Sequence, residues 1–180
     1  NLEEILRIDD ICRSKLGYPD ADGQDVQPWV LGKDKIEHYV TLKFKVNSLI
    51  EVQNVYLAAE EAESITFNGN NISINPCGYF VDESIRKYRI GKLLKGENII
   101  EIVAPLGKRT SLENFFLLGD FDVEVKGCEK TIKAKATKIG FGDIVSQGLP
   151  FYGGNIIYKT EVDIKDESDL IIRESSINWF

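Results

Sequence analysis

The sequence is poor in the residues that most enzyme chemistry needs. It holds one histidine, His38, in 180 residues. One imidazole cannot build a catalytic zinc centre, which ordinarily takes two or three. The three cysteines, Cys12, Cys77 and Cys128, lie far apart with no CxxC pair. That spacing excludes a zinc ribbon or a thioredoxin-type site. An odd, scattered set also argues against a disulfide framework, so a reduced, cytoplasmic setting is the simpler expectation. No apolar stretch approaches the roughly 18–20 residues of a membrane helix. Basic residues do not dominate: 22 Lys+Arg stand against 29 Asp+Glu, for a formal charge of −7. A nucleic-acid module would show the opposite balance. Neither nucleic acid nor membrane is therefore an expected partner. There is no methionine at all, not even an initiator. With the Trp179-Phe180 ending, this reads as an excerpt of a longer protein, and nothing at the start resembles a signal peptide.

What is present is an ordinary globular composition, 43% hydrophobic and 28% charged. Residues 1–16 carry a helical pattern in Leu2, Ile5, Leu6, Ile11 and Cys12, with Ile8 less well placed. Gly17 suits the position just past the helix, and Pro19 follows as a stop. Residues 18–28 read as a polar loop, so 1–28 form a helix-and-loop unit and 29–180 the main domain. From residue 40 the period becomes 2. Val40, Leu42, Phe44 and Val46 alternate with Thr41, Lys43 and Lys45, the pattern of a half-buried strand. Ile65 and Phe67 meet Ile72 and Ile74 across Asn68-Gly69, the strongest short hairpin signal. Residues 90–96 read as a turn closed by Gly96, and a kink is expected at Gly119. Thr131–Ile139 reads as an edge strand guarded by lysines. Ile156, Tyr158, Thr160, Val162 and Ile164 give the cleanest alternation in the chain. A second sandwich could open from about residue 147. Many short strands joined by Gly, Pro and Asn turns, without βαβ alternation, predict an all-β antiparallel β-sandwich with a short N-terminal helix.

The candidates for chemistry are few. No P-loop exists, and Gly140-Phe141-Gly142 lacks the third glycine of a dinucleotide fingerprint. His38 sits beside Glu37 in a polar segment and reads as a solvated surface histidine; no G-x-S-x-G elbow accompanies it. Cys12 reads as a packing residue on the helix. Paired carboxylates would suffice for glycoside hydrolysis. The acidic run Glu60-Glu61-Ala62-Glu63 reads as a solvated face, however. Asp120 and Asp122, two apart, would share a strand face, with Asp120 capping the Gly119 kink. The aromatics Trp29, Tyr79, Phe80, Phe151 and Tyr152 fall in or beside predicted loops. They either plug the ends of the core or offer flat faces to sugar rings.

Several of these segments together resemble a known family. Ile65-Thr66-Phe67-Asn68-Gly69, Gly78-Tyr79-Phe80-Val81-Asp82 and Leu93-Leu94-Lys95-Gly96-Glu97-Asn98-Ile99 are similar to the sugar-binding jelly roll of glycoside hydrolase family 2. They equally resemble the galactose-binding-like domains of bacterial α-L-rhamnosidase-like enzymes. The resemblance spans roughly residues 27–164. Its more specific part is the pair Leu112-Glu113-Asn114…Leu118-Gly119-Asp120-Phe121 and Gln147-Gly148-Leu149-Pro150-Phe151-Tyr152-Gly153-Gly154. It implies a galactose-binding-like jelly roll that is a non-catalytic accessory domain of a bacterial glycosidase. The catalytic carboxylates would then lie on a separate (β/α)₈ barrel, so no catalytic residue is assigned here. The expected partners are other domains of the same chain and a carbohydrate. By loop placement and residue type, a sugar would stack on Trp29 and Tyr152 and exchange hydrogen bonds with Asp82, Arg109, Asp120 and Gln147. No cofactor or metal is implied; calcium has no motif to hold it. The alternative is a structural docking module with no small ligand of its own.

Overall fold

The computed structural model describes residues 2–18, 35–108, 110, 112, 115–159, 161 and 163. One helix, α1 (Leu2–Leu16), precedes ten strands. These are β1 (His38–Ser48), β2 (Val52–Ala59), β3 (Ser64–Phe67), β4 (Asn70–Ile72) and β5 (Tyr79–Phe80). The chain continues through β6 (Asp82–Leu93), β7 (Gly96–Leu106), β8 (Phe115–Leu118), β9 (Asp122–Lys126) and β10 (Glu129–Lys133). They form two sheets, in the order β4-β3-β7-β1-β10-β9 and β5-β6-β2-β8. The fold is an all-β sandwich.

The predicted alternation decides how the sheets pack. In β7 every second residue from Asn98 to Leu106 is buried. Ile100 and Ile102 meet Val55, Leu57 and Ala59 of β2 and Tyr88 and Ile90 of β6 between the sheets. The opposite face of the larger sheet is polar. There Lys43, opposite Glu101 in the ladder, lies 2.7 Å from its carboxylate. That neighbour holds the Glu101 carboxyl below the usual carboxylate range.

The hairpin forms as expected. Asn68 and Gly69 have φ of +48° and +79°, the pair of positive values a two-residue primed turn requires. The next turn follows a different course from the expected one. Gly91 does not begin a turn; β6 continues through it to Leu93, with Gly91 (φ +103°) facing an irregularity in β2. The chain turns only at Leu94-Lys95. Asn98, fully buried, holds this turn. Its Oδ1 accepts from Leu94 N (2.9 Å) and Asn68 Nδ2 (3.0 Å), and its Nδ2 donates to the carbonyls of Leu94 (2.7 Å) and Gly96 (3.2 Å). Asn68 Oδ1 in turn accepts from Ile99 N at 2.8 Å. The Asn-Gly and Gly-x-Asn segments are thus two halves of one knot that joins the sheets.

Three further expectations are corrected. β10 is interior, because it pairs in parallel with β1 as well as antiparallel with β9. The sandwich is therefore antiparallel except at this one pair. The alternation after Asn155 forms no strand over 155–159, and residues 160, 162 and 164 lie outside the described residues. A ladder needs a neighbour, and none of the described strands borders this segment. Among the helix's described side chains, Cys12 packs on the core as expected, but Ile11 does not, and two charged residues share the buried face. Ile8 and Ile11 are exposed, while Asp9 and Arg13 are each 1% exposed. Arg13 Nε donates to Asp9 Oδ2 at 2.7 Å, and its guanidinium donates to the carbonyls of Lys108 (3.1 Å) and Thr110. The loop after β7 needs those donors, which is why a cation outranks an isoleucine there. Cys12 and Leu16 close the end of the core against Leu42, Ala104 and Leu106. The helix ends as the sequence suggests: Gly17 has φ +67°, and Tyr18 N and Gly17 N donate to the carbonyls of Arg13 and Ser14.

Candidate functional site

The chain crosses from the smaller sheet to the larger one between β8 and β9, through Gly119, Asp120 and Phe121. The bend expected at Gly119 is this crossing. A side chain at Gly119 would strike the Phe121 ring, since a Cβ there would lie 2.7 Å from it. After β10 the chain returns along the outer edge of β9, where Val123 N donates to the Gly148 carbonyl at 3.3 Å. Gly148 has φ +106° and lies against Asp122; a Cβ would come within 3.0 Å of the carboxylate. Both the conformation and the close approach require glycine.

Between these two segments opens a cleft of about 530 Å³. One wall is the outer edge of β8, with Leu117 and Leu118. The crossover residue Phe121 and Asp122 line it further along, and Phe80 contributes from β5. The other wall is residues 148–152, with Leu149, Pro150, Phe151 and Tyr152. Among the described residues β8 pairs only with β2, so its second edge faces the cleft. Phe151 is 70% exposed at the rim. Phe80 stacks at a tilt on Phe116, ring centroids 5.2 Å apart. Val81, next to Phe80, is 83% exposed at φ +65°. That is a strained conformation for a β-branched side chain.

The predicted sugar contacts are not gathered here as a set. Trp29 and Arg109 lie outside the described residues. Tyr152 lines the cleft, but its hydroxyl donates to the Asn155 carbonyl at 2.9 Å. Gln147 is spent on the backbone: its Oε1 accepts from Gly140 N (2.6 Å), and its Nε2 donates to the carbonyls of Gly140 (3.2 Å) and Asp143 (3.0 Å). Its role is to tie the 140–148 loop. Asp82 starts β6, where its Oδ1 accepts from Ser84 N at 2.8 Å; that bond holds the carboxyl below the usual range. Asp120 is exposed and pairs with Lys135 at 2.9 Å, which raises the lysine pKa. Asp120 and Asp122 do not share a face. Asp122 is buried and accepts from Ala136 N at 2.7 Å, while Asp120 stands in the bend outside the strand.

Of the other candidates, His38 is exposed, with its ring 6.1 Å from that of Tyr18. All three cysteines are free. Among the described residues, no three His, Cys, Asp or Glu side chains converge to hold a metal ion. No described helix is long and apolar enough to cross a membrane. Nothing in the sequence marks the cleft's apolar wall residues, Leu117, Leu118, Phe121, Leu149 and Pro150, individually. The only signal for them is that both segments belong to the more specific part of the resemblance, and the fold puts those segments side by side. Comparison with known proteins finds no matching family model, no matching curated protein and no matching solved structure.

Proposed function

We propose that the chain is a non-catalytic β-sandwich domain of a glycoside-hydrolase-type protein, and that it works by docking a polypeptide in the cleft beside β8. The observation that carries the reading is the character of the cleft. Its walls are mostly apolar, and one of them includes Leu117 and Leu118 of β8, whose second edge no described strand pairs with. A volume of about 530 Å³ falls within the range of ligand pockets. Exposed apolar surface of this kind ordinarily marks an interaction site. The polar side chains that would read sugar hydroxyls are largely engaged internally, as Gln147, Asp82 and Asp120 show. The resemblance to accessory domains of glycosidases supports the same role. So does the way the chain repeatedly switches sheets, which fits the finer assignment to a galactose-binding-like jelly roll.

A second reading has one observation in its favour. Phe151 and Tyr152 are exposed aromatics at the cleft, and flat faces of this kind suit the C–H side of a sugar ring. Titration calorimetry separates the two readings. The chain is titrated with strand-forming decapeptides of alternating apolar pattern and with a panel of neutral and acidic oligosaccharides. Docking predicts heat from the peptides alone, with a negative heat-capacity change. Heat from oligosaccharides alone would replace it with the carbohydrate reading.

A further inference from the structure

The sheet edge that opens on the cleft has a counterpart elsewhere in the same chain. Asn155–Lys159 belongs to the segment with the strongest strand alternation in the sequence, yet it has irregular backbone and is exposed, Ile157 at 77%. Tyr158 leans on Phe141, ring centroids 4.9 Å apart, and no described strand pairs with this segment. So, among the described residues, one molecule carries a sheet edge without a partner strand in an apolar cleft and a strand-former without a partner strand two glycines beyond the cleft wall. We propose that these halves join between copies: residues 155–159 of a second copy of this chain add as a strand to the free edge of β8. Added strands gain affinity from main-chain hydrogen bonds and specificity from alternate side chains.

The dimensions suit this. At about 3.3 Å per residue, five residues span roughly 17 Å and the four of β8 roughly 13 Å. Ile156 and Tyr158 would fall on one side of the added strand and Ile157 on the other. Because the donor starts just past Gly153-Gly154, at the wall of its own cleft, two copies can exchange segments reciprocally. That closes a twofold dimer and does not propagate.

The inference rests on reading the cleft as a polypeptide-docking surface, and the two can fail separately. Sedimentation velocity from micromolar to millimolar chain concentration is compared for wild type and Ile157→Pro. Proline cannot donate to a ladder, so the substitution should weaken dimerisation at least about tenfold. Ile157 is exposed and lies outside both sheets, so at concentrations where wild type is monomeric the thermal unfolding of the variant should match it. A synthetic peptide of residues 153–164 should then bind the Ile157→Pro chain and slow amide exchange over 115–118. A wild type that stays monomeric throughout overturns the inference, as does a dimer that Ile157→Pro leaves intact. If the unrelated decapeptides still bind in either case, the docking reading stands without it.

Discussion

Replacing Asn98 tests whether the knot between the hairpin and the β6–β7 turn is a structural element. Asn98→Ala removes four hydrogen bonds at a fully buried site. A net contribution of about 1 kcal/mol per bond gives a loss of about 4 kcal/mol. Water can reach the exposed Gly96 carbonyl and the half-buried Asn68 amide, which lowers this to about 3 kcal/mol. For a domain of this size the melting temperature should fall by roughly 6–16 °C. Asn98→Asp sharpens the test. It keeps the acceptor facing Leu94 N but turns an oxygen toward the carbonyls of Leu94 and Gly96. Only a protonated carboxyl can donate to them, so the folded state should raise the pKa of the introduced acid. A raised folded pKa means stability that is present at low pH and lost as pH rises. The aspartate variant should therefore recover toward wild type as the solution is acidified, while the alanine variant should not. Urea denaturation at neutral and acidic pH reads both. A cost below about 1 kcal/mol for Asn98→Ala, or an aspartate variant with no such pH dependence, would mean that the Asn98 bonds do not hold this turn.

Other perturbations probe separate parts of the molecule. Arg13→Ala leaves Asp9 buried without its cation and takes a donor from two carbonyls. It should cost about 3–5 kcal/mol in urea denaturation, and a loss under about 1 kcal/mol would mean the pair is inessential to helix docking. Val81→Gly relieves a left-handed β-branched residue worth about 1–2 kcal/mol of strain, offset by glycine's greater unfolded freedom. A net gain of about 0.5–1 kcal/mol is expected, and a loss would show that the valine side chain makes a stabilising contact in the folded chain. Asp82 has a folded pKa below its ordinary value, so it stabilises above the unfolded carboxylate range and loses this as pH falls through the folded pKa. Asp82→Asn should accordingly lessen the acid-induced loss of amide protection at Ser84, taken relative to the intrinsic exchange rate at each pH, and an unchanged acid limb would contradict the assignment.

The features legible in the sequence are those set by neighbours along the chain. The Asn68-Gly69 turn and the Gly17 helix end depend on backbone conformations that few residues tolerate, so residue type alone reveals them. The period-2 strands are legible because one face of each sheet is buried. What escapes is whatever depends on a distant partner. Asp9 and Arg13 look like solvent residues until the Lys108 and Thr110 carbonyls are placed against them. Gly91 looks like a turn because its conformation is tolerated inside β6 only opposite an irregular β2. β10 looks like an edge because nothing in its own residues announces the parallel pairing with β1. The site divides the same way. Tyr152 lies in a loop, as its Gly and Pro neighbours imply, and lines the cleft, while Gln147, equally looped, is absorbed by the Gly140 and Asp143 backbone. Leu117 and Leu118 become site residues only because β8 is the last of the described strands in its sheet.

The most direct test of the docking role is amide chemical-shift mapping of the chain with a strand-forming decapeptide and, separately, with oligosaccharides. Polypeptide docking at β8 predicts peptide-dependent shifts confined to residues 115–118 and 148–152, with slowed exchange along β8 and no response to the sugars. Shifts driven by sugars at Tyr152 and Asp120, or peptide shifts away from β8, would contradict it.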